Sequence, residues 1–415
     1  GIKREPANVR QFMTSPVHWL LYGLVFLLPA CSTTHQNVKP DVQVQRAATE
    51  VAENHLLDVW IALFSPGELP EDKDDSKGLS PEIRKAEARY MPVQLRETME
   101  KTGYWGAVRV VPQNTEGAEV LVQGKILVSD GETLELQITA VDATGQQWFE
   151  RTYEEEAALE DYRQAEGSGR EVFQPLYNAI ANDLAEYRNG LSAERIVTIR
   201  RVASLRFADD LAPDAFKGYL QENASGEYAV ARLPAREDPM VRRINAIRER
   251  DFMLVDTLNG HFDNFHGDMQ EPYFQWRKSR LAELEAMRAI QRDARNRKLL
   301  GAAAIIGAIA IEALGGDSTR ASTGSLRNVM LIGGAYAVKT GFDKASEATI
   351  HRDAIEELGE SFASESQPMV VDVEGETHKL TGSAEAQYAE WRTLLRKIYA
   401  SETGLDAGGN NDAAQ

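Results

Sequence analysis

Val120, Val122, Ile126 and Val128 recur with the two-residue period of a half-buried strand, and Leu134, Leu136 and Ile138 repeat it after the tight-turn pair Asp130-Gly131. The pattern predicts a β-hairpin. "QQWFERTY" adds a strand after "DATG", and "WGAVRVVP" supplies one before the hairpin. Upstream, Leu56–Phe64 ("LLDVWIALF") is a continuous apolar run of strand length. Ser80-Pro81-Glu82 then opens a helix that closes on Gly103. Pro92 falls inside that helix and predicts a kink or two separate helices. The order strand, helix, strand, hairpin, strand gives a small α/β sandwich over residues 51–155.

Residues 156–298 change to three- and four-residue spacing and read as a helical region, with "NASGEYAVARLPARED" as an interrupting loop. A charged helix from "EPYFQW" runs directly into the apolar stretch Leu299–Gly316, and a second apolar stretch spans Leu326–Ala345. Ala303 and Gly307, and then Gly333, Ala337, Gly341 and Ala345, place small residues four apart, which lets helix backbones approach closely. Residues 299–345 therefore read as an apolar helical hairpin. It is packed inside the body, dipped into a membrane or lining an oligomeric channel, or exchanged between subunits. Residues 346–403 read as helix, two strands turned at Glu374-Gly375, and a last helix. Residues 404–415 are a loose tail. The fold class is α+β.

The N-terminus changes the picture most. Trp19–Leu28 is an apolar core preceded by Lys3, Arg4 and Arg10, too short for a membrane span and of the length of a secretory signal. Leu28-Pro29-Ala30-Cys31 follows it and resembles a bacterial lipobox. The resemblance implies that residues 1–30 are removed and that Cys31, the chain's single cysteine, carries a covalent lipid including palmitate. Ser32 after the cysteine implies retention at the outer membrane of a diderm bacterium, facing the periplasm. Residues 31–50 are polar and read as a lipidated tether. One cysteine also excludes an intrachain disulfide and a cysteine zinc cluster.

"EVLVQGKI" and "VDATGQQWFERTY", together with the element order, resemble the small α/β domains of the Tol-system propeller protein and of the curli secretion-channel lipoprotein. The resemblance implies an envelope setting and assigns no functional residue.

The 415-residue chain carries a net charge of −18. Losing residues 1–30 removes three basic residues and one acidic one, leaving about −20, which argues against nucleic acid as a partner. No HExxH, P-loop, dinucleotide fingerprint or GxSxG elbow occurs. His261, Asp263, His266 and Asp268 are the nearest approach to a metal site. Five residues separate the two histidines, which splits their faces on a helix, whereas a loop would gather them for zinc. Glu154–Glu156 reads as a solvated face. "AEGSGRE" (165–171) is a phosphate loop or a flexible turn. A repeated Tyr-x-x-Trp-Arg spacing (Tyr273, Trp276, Arg277; Tyr388, Trp391, Arg392) reads as sugar-stacking aromatics, or as core residues with a snorkelling arginine.

These residues support a non-enzymatic lipoprotein scaffold or accessory factor in envelope assembly or transport, anchored to the membrane and contacting an envelope protein, with no cofactor beyond the lipid. An oligomeric lipoprotein whose 299–345 hairpin enters the membrane as a pore or secretion element is the alternative, with a homo-oligomer as its assembly. A metal-dependent periplasmic hydrolase is the third.

Overall fold

The computed structural model describes Gly1 and residues 34–69, 79–112, 116–235, 238–312, 351–363, 368–373 and 376–403, with 290, 291, 293–312 and 373 as backbone alone. The chain divides into two units, residues 1–34 and residues 35–415. The second is a mixed α+β body, with the sheet in the N-terminal half and helices dominating the rest.

The sheet has six strands: β1 (Thr34–Asn37), β2 (Val59–Ala62), β3 (Val108–Val111), β4 (Val120–Ser129), β5 (Thr133–Asp142) and β6 (Gln147–Glu156), in the spatial order β1-β6-β5-β4-β2-β3. The predicted hairpin is β4–β5, and β6 continues it antiparallel. The β2 strand runs parallel to both neighbours, β3 and β4. Parallel pairing needs a crossover, supplied by α1 (Pro81–Glu100) between β2 and β3. All four residues of β2 are buried because the sheet is covered on both faces there. Val59 and Ile61 belong to one hydrophobic cluster, Trp60 and Ala62 to the other.

Helix α1 starts where expected: the Ser80 hydroxyl accepts the Ile83 N–H at 3.1 Å, and Pro81 occupies the first helical position. It then runs through Pro92 as one helix. Most of its circumference is buried, since it packs on the sheet on one side and on later helices on the other. Those helices are α2 (Leu159–Ala165), α3 (Gln174–Asn189), α4 (Ala193–Leu211), the single turn α5 (Pro213–Phe216) and α6 (Pro239–Glu312). Helix α6 is 74 residues long, about 110 Å at 1.5 Å per residue, and contains Pro272. It joins two stretches of helical spacing into one element. Its buried stripe includes Ile244, Val255, Leu258, Phe262, Met269 and Tyr273 and ends at Leu281. Beyond that point the described side chains are half-buried or exposed, and the helix continues into the apolar run to Glu312.

Helix α7 (residues 351–363) returns to the body. Gly359 lies against Ala86 of α1, and Phe362 stacks on Phe265 of α6 with ring centroids 4.7 Å apart. Strands β9 (Met369–Val373) and β10 (Glu376–Leu380) pair antiparallel as predicted, and α8 (Ala384–Thr403) closes the body against α6. The turn at 374–375 and the tail 404–415 lie outside the described residues.

Three local expectations give way. The stretch read as a tether is laid along the sheet: Val38 is buried, its N–H donates to Glu154 O at 2.7 Å, and Asn178 and Asn182 donate to the carbonyls of Val42 and Gln43. Polar composition hid this, because the docking uses backbone groups. The expected loop 223–238 contains a strand, Tyr228–Val230 (β8), which pairs with Leu220–Glu222 (β7) just before it as a short hairpin, its turn braced by the Asn223 side chain, which accepts from the Ser225 and Glu227 N–H groups. Glu155 is buried rather than solvated, since it accepts the Leu176 N–H in the first turn of α3 at 2.8 Å.

Candidate functional site

The densest set of buried ionisable groups lies between α1, α6 and the loop that precedes α3. Glu87 of α1 is fully enclosed. Its Oε1 accepts from the Ser129 hydroxyl at 2.6 Å and from the Tyr273 hydroxyl at 2.8 Å, with Arg84 Nε 3.5 Å from Oε2. Burial raises its pKa, and Arg84, Ser129 and Tyr273 only partly offset that. One turn further along, Tyr90 stacks on His266 at 4.2 Å and reaches Glu171 through its hydroxyl at 3.4 Å. Burial and Glu171 push the Tyr90 hydroxyl far above its ordinary value, so it stays protonated and donates.

Glu171 and Arg277 are the centre of the set. Arg277 donates through Nη1 and Nη2 to the two carboxylate oxygens at 2.7 and 3.0 Å. Burial works to raise the Glu171 pKa, but Arg277 and the Phe173 N–H outweigh it and hold it below the usual carboxylate value. Burial likewise works to lower the Arg277 pKa, and Glu171 and Tyr273 overcome it. Tyr273 also packs under the guanidinium at 4.2 Å. The 165–171 segment positions Glu171 through two left-handed glycines, Gly167 and Gly169. A cavity of about 110 Å³ opens there, with Tyr90, Glu171 and Arg277 along its wall and Arg170, Gln270 and Glu271 beside them.

The Ser129–Glu87–Tyr273 cluster has the residue types of a hydroxyl nucleophile and its base. All three side chains are buried among the core helices, and none of them lines a described cavity. Its hydrogen bonds tie α1 and α6 to the end of β4.

The repeated Tyr-x-x-Trp-Arg spacing is used twice in the same way. Tyr273, Trp276, Tyr388 and Trp391 are buried, so they fill core rather than present rings to a sugar. Neither arginine snorkels to solvent. Arg392 donates to Asp251 at 3.1 Å and to Asp210 at 2.5 Å, and Trp391 Nε1 donates to Asp251 at 3.2 Å. Each arginine thus fastens its helix to an acid far away in the chain. The spacing was visible in the sequence. The partner acids were not, because Glu171 and Asp251 lie 106 and 141 positions from their arginines.

The four candidate metal ligands are set apart. On α6, His266 packs on Tyr90 and its Nε2 lies 3.1 Å from Gln94 Oε1, while Asp263 is bonded by Arg96. Burial lowers the pKa of both His261 and His266, which favours neutral rings. Asp268 is exposed. Among the described residues no group of three or more His, Cys, Asp or Glu is placed to hold a metal ion. Cys31 and the small residues Gly333, Ala337, Gly341 and Ala345 lie outside the described residues, and Ala303 and Gly307 lie on the helical backbone of α6. Among the described residues no helix is long and apolar enough to cross a membrane.

The chain matches no family model, no curated protein and no solved structure.

Proposed function

We propose that this protein is a lipid-anchored envelope lipoprotein whose body is a non-enzymatic scaffold, held at the outer membrane through Cys31 and facing the periplasm. The observation that carries the reading is how the body uses its acids. Among the described residues the buried carboxylates are Glu87, Glu119, Asp142, Glu155, Glu171 and Asp251. Each is answered from within. Glu87 and Glu171 hold the contacts given above, and Asp251 holds Arg392 and Trp391. Asp142 accepts from Thr144, Trp148 and Arg195, Glu119 from the Asp58 N–H, and Glu155 from the Leu176 N–H. A general acid or base needs a free face open to substrate. Glu87, Asp142, Glu155 and Asp251 line none of the described cavities, and Glu171 and Glu119, which do, are engaged by Arg277 and by the Asp58 N–H. The lipobox resemblance supplies the anchor.

A second reading has one observation in its favour. Helix α6 passes without interruption from the buried stripe into the apolar run, and α7 brings the chain back onto α1. The 299–345 hairpin expected from the sequence would leave the body through α6 and return through α7, which suits a membrane-entering oligomer.

Metabolic labelling with radioactive palmitate in a diderm host tests the anchor. The reading expects label on the wild-type chain in the outer-membrane fraction and its loss in Cys31→Ser. Equal label in both, or none in either, overturns it.

A further inference from the structure

Two depressions adjoin where α4 meets α6, and they share Arg201, Ser204 and Asn245. One is an open cleft of about 500 Å³ that gathers Arg200, Arg201 and Arg248. The other is an apolar pocket of about 110 Å³ walled by Leu205, Ala208, Phe216, Leu233, Val241 and Ile244.

The cleft runs against the charge of the molecule, a chain of net −18. Arg201 is exposed and bonds no carboxylate among the described residues. Arg248 donates through Nη2 to Gly117 O at 3.1 Å, while its buried Nε has no partner. Its guanidinium sits 5.1 Å from the Phe252 ring, which limits where it can point. Two carboxylates share the cleft. Glu119 is held by the Asp58 N–H at 2.9 Å and faces Arg200 at 3.6 Å, and Glu249 stands exposed on the rim. Arg200 is answered by Glu119, and Arg248 lies in the field of Glu119, Asp58 and Asp251, so the exposed Arg201 is the cation left to draw an anion into the cleft, with Arg248 beside it.

The pocket sets the shape of that anion's neighbour. Leu233 is 55 % exposed at its mouth, a large apolar side chain left facing water. An apolar cavity of about 150 Å³ takes a benzene molecule, so this one has room for a single aliphatic side chain and not for an acyl chain. We propose that the paired depressions bind a peptide segment of a partner protein in which one aliphatic side chain stands next to a carboxylate, the side chain entering the pocket and the carboxylate meeting Arg201 and Arg248. The carboxylate is the partner's chain terminus, because the two depressions share Arg201, Ser204 and Asn245 and a C-terminal aliphatic residue carries both groups side by side. The inference deepens the scaffold reading, on which it rests for a protein partner.

Fluorescence anisotropy on the full chain in detergent, with three labelled octapeptides, tests it. The first ends in leucine with a free carboxylate, the second is the same peptide amidated, and the third has an internal Leu-Glu and an amidated end. The first binds with Kd below about 1 mM, and tighter binding of the third, which would move the carboxylate to an acidic side chain, overturns the proposal. The second is weaker by about tenfold or more, and Arg201→Gln weakens the carboxylate peptide similarly. Arg201 is exposed, so its loss leaves the fold intact, which the unchanged melting temperature of the variant verifies. Leu233→Glu abolishes binding by placing a like charge at the pocket mouth. Equal binding of the amidated peptide, no effect of Arg201→Gln, binding of inorganic phosphate with no peptide bound, or no binding at all overturns the proposal. None of these outcomes touches the palmitate label on Cys31, so the two assignments fail separately.

Discussion

Arg277 and Glu171 meet through two parallel hydrogen bonds of 2.7 and 3.0 Å across 106 positions of sequence, both side chains buried. The pair binds the middle of α6 to the loop that opens α3, and the Tyr273 ring supports the guanidinium from one side. Such a pair is costly to desolvate, so its value lies in where it places the helices rather than in net stability.

Removing one partner strands the other. Arg277→Met destabilises the body by about 3–5 kcal/mol, because Glu171 is left charged and buried. Adding Glu171→Leu to Arg277→Met recovers most of that loss. Urea midpoints of the two single variants and the double variant check the coupling, and additive losses would contradict it.

Glu155 makes stability depend on pH in an unusual direction. Burial is the main cause that lifts its pKa from 4.5 to about 8, offset in part by the Leu176 N–H. Below about pH 4.5 both folded and unfolded chains hold the proton, and Glu155 imposes no penalty. As pH rises toward 8, the unfolded chain releases the proton while the folded one keeps it, and stability falls. Glu155→Gln keeps an acceptor for Leu176 and removes the titration. The variant melts above wild type at pH 8 by the equivalent of at least about 1 kcal/mol, and the gap closes toward pH 5. Thermal melts at the two pH values decide it.

Gly131 carries two demands at once. Its φ is +92°, and a Cβ there would lie 2.5 Å from the carbonyl oxygen of Arg277. Gly167 shares the left-handed backbone, at φ +69°, but has open space around it. Gly167→Ala therefore costs about 1–2 kcal/mol from backbone strain alone. Gly131→Ala costs more, because the β4–β5 turn must also move off α6. Equal losses in denaturant titrations would mean that the hairpin tip does not press on the helix.

Zinc offers a check on the His261–Asp268 stretch. With His266 against Gln94 and Asp263 bonded to Arg96, excess zinc moves the melting temperature by less than about 1 °C. A shift of several degrees that His266→Ala removes would reopen metal chemistry at this place.

The elements that could be read from the sequence are those whose signals are local. Alternation and Asp130-Gly131 located β4 and β5, although a bulge between Ile126 and Val128 takes Val128 off the buried face; Ser80-Pro81 located the start of α1, and β9 and β10 flank the turn expected at Glu374-Gly375. What escaped depends on distance. Pro92 argues for a broken helix, but burial of α1 on two sides carries the helix through it. Residues 35–44 look like a polar tether because their docking runs through carbonyls that Asn178 and Asn182 reach. Glu155 resembles its exposed neighbours until α3 is seen to begin above it. The buried ion pairs have only half a signal each, an arginine after an aromatic pair. The arginine-lined cleft had none, since Arg201 and Arg248 come together only when α4 meets α6.

The anchored scaffold proposed above requires a body that holds itself together without the membrane. The mass of residues 32–415 purified without detergent, measured by light scattering, tests it most directly. A soluble monomer is the predicted result. A chain that stays insoluble until detergent is added, and then runs as a discrete high-order oligomer, would contradict the scaffold and favour the membrane-entering hairpin.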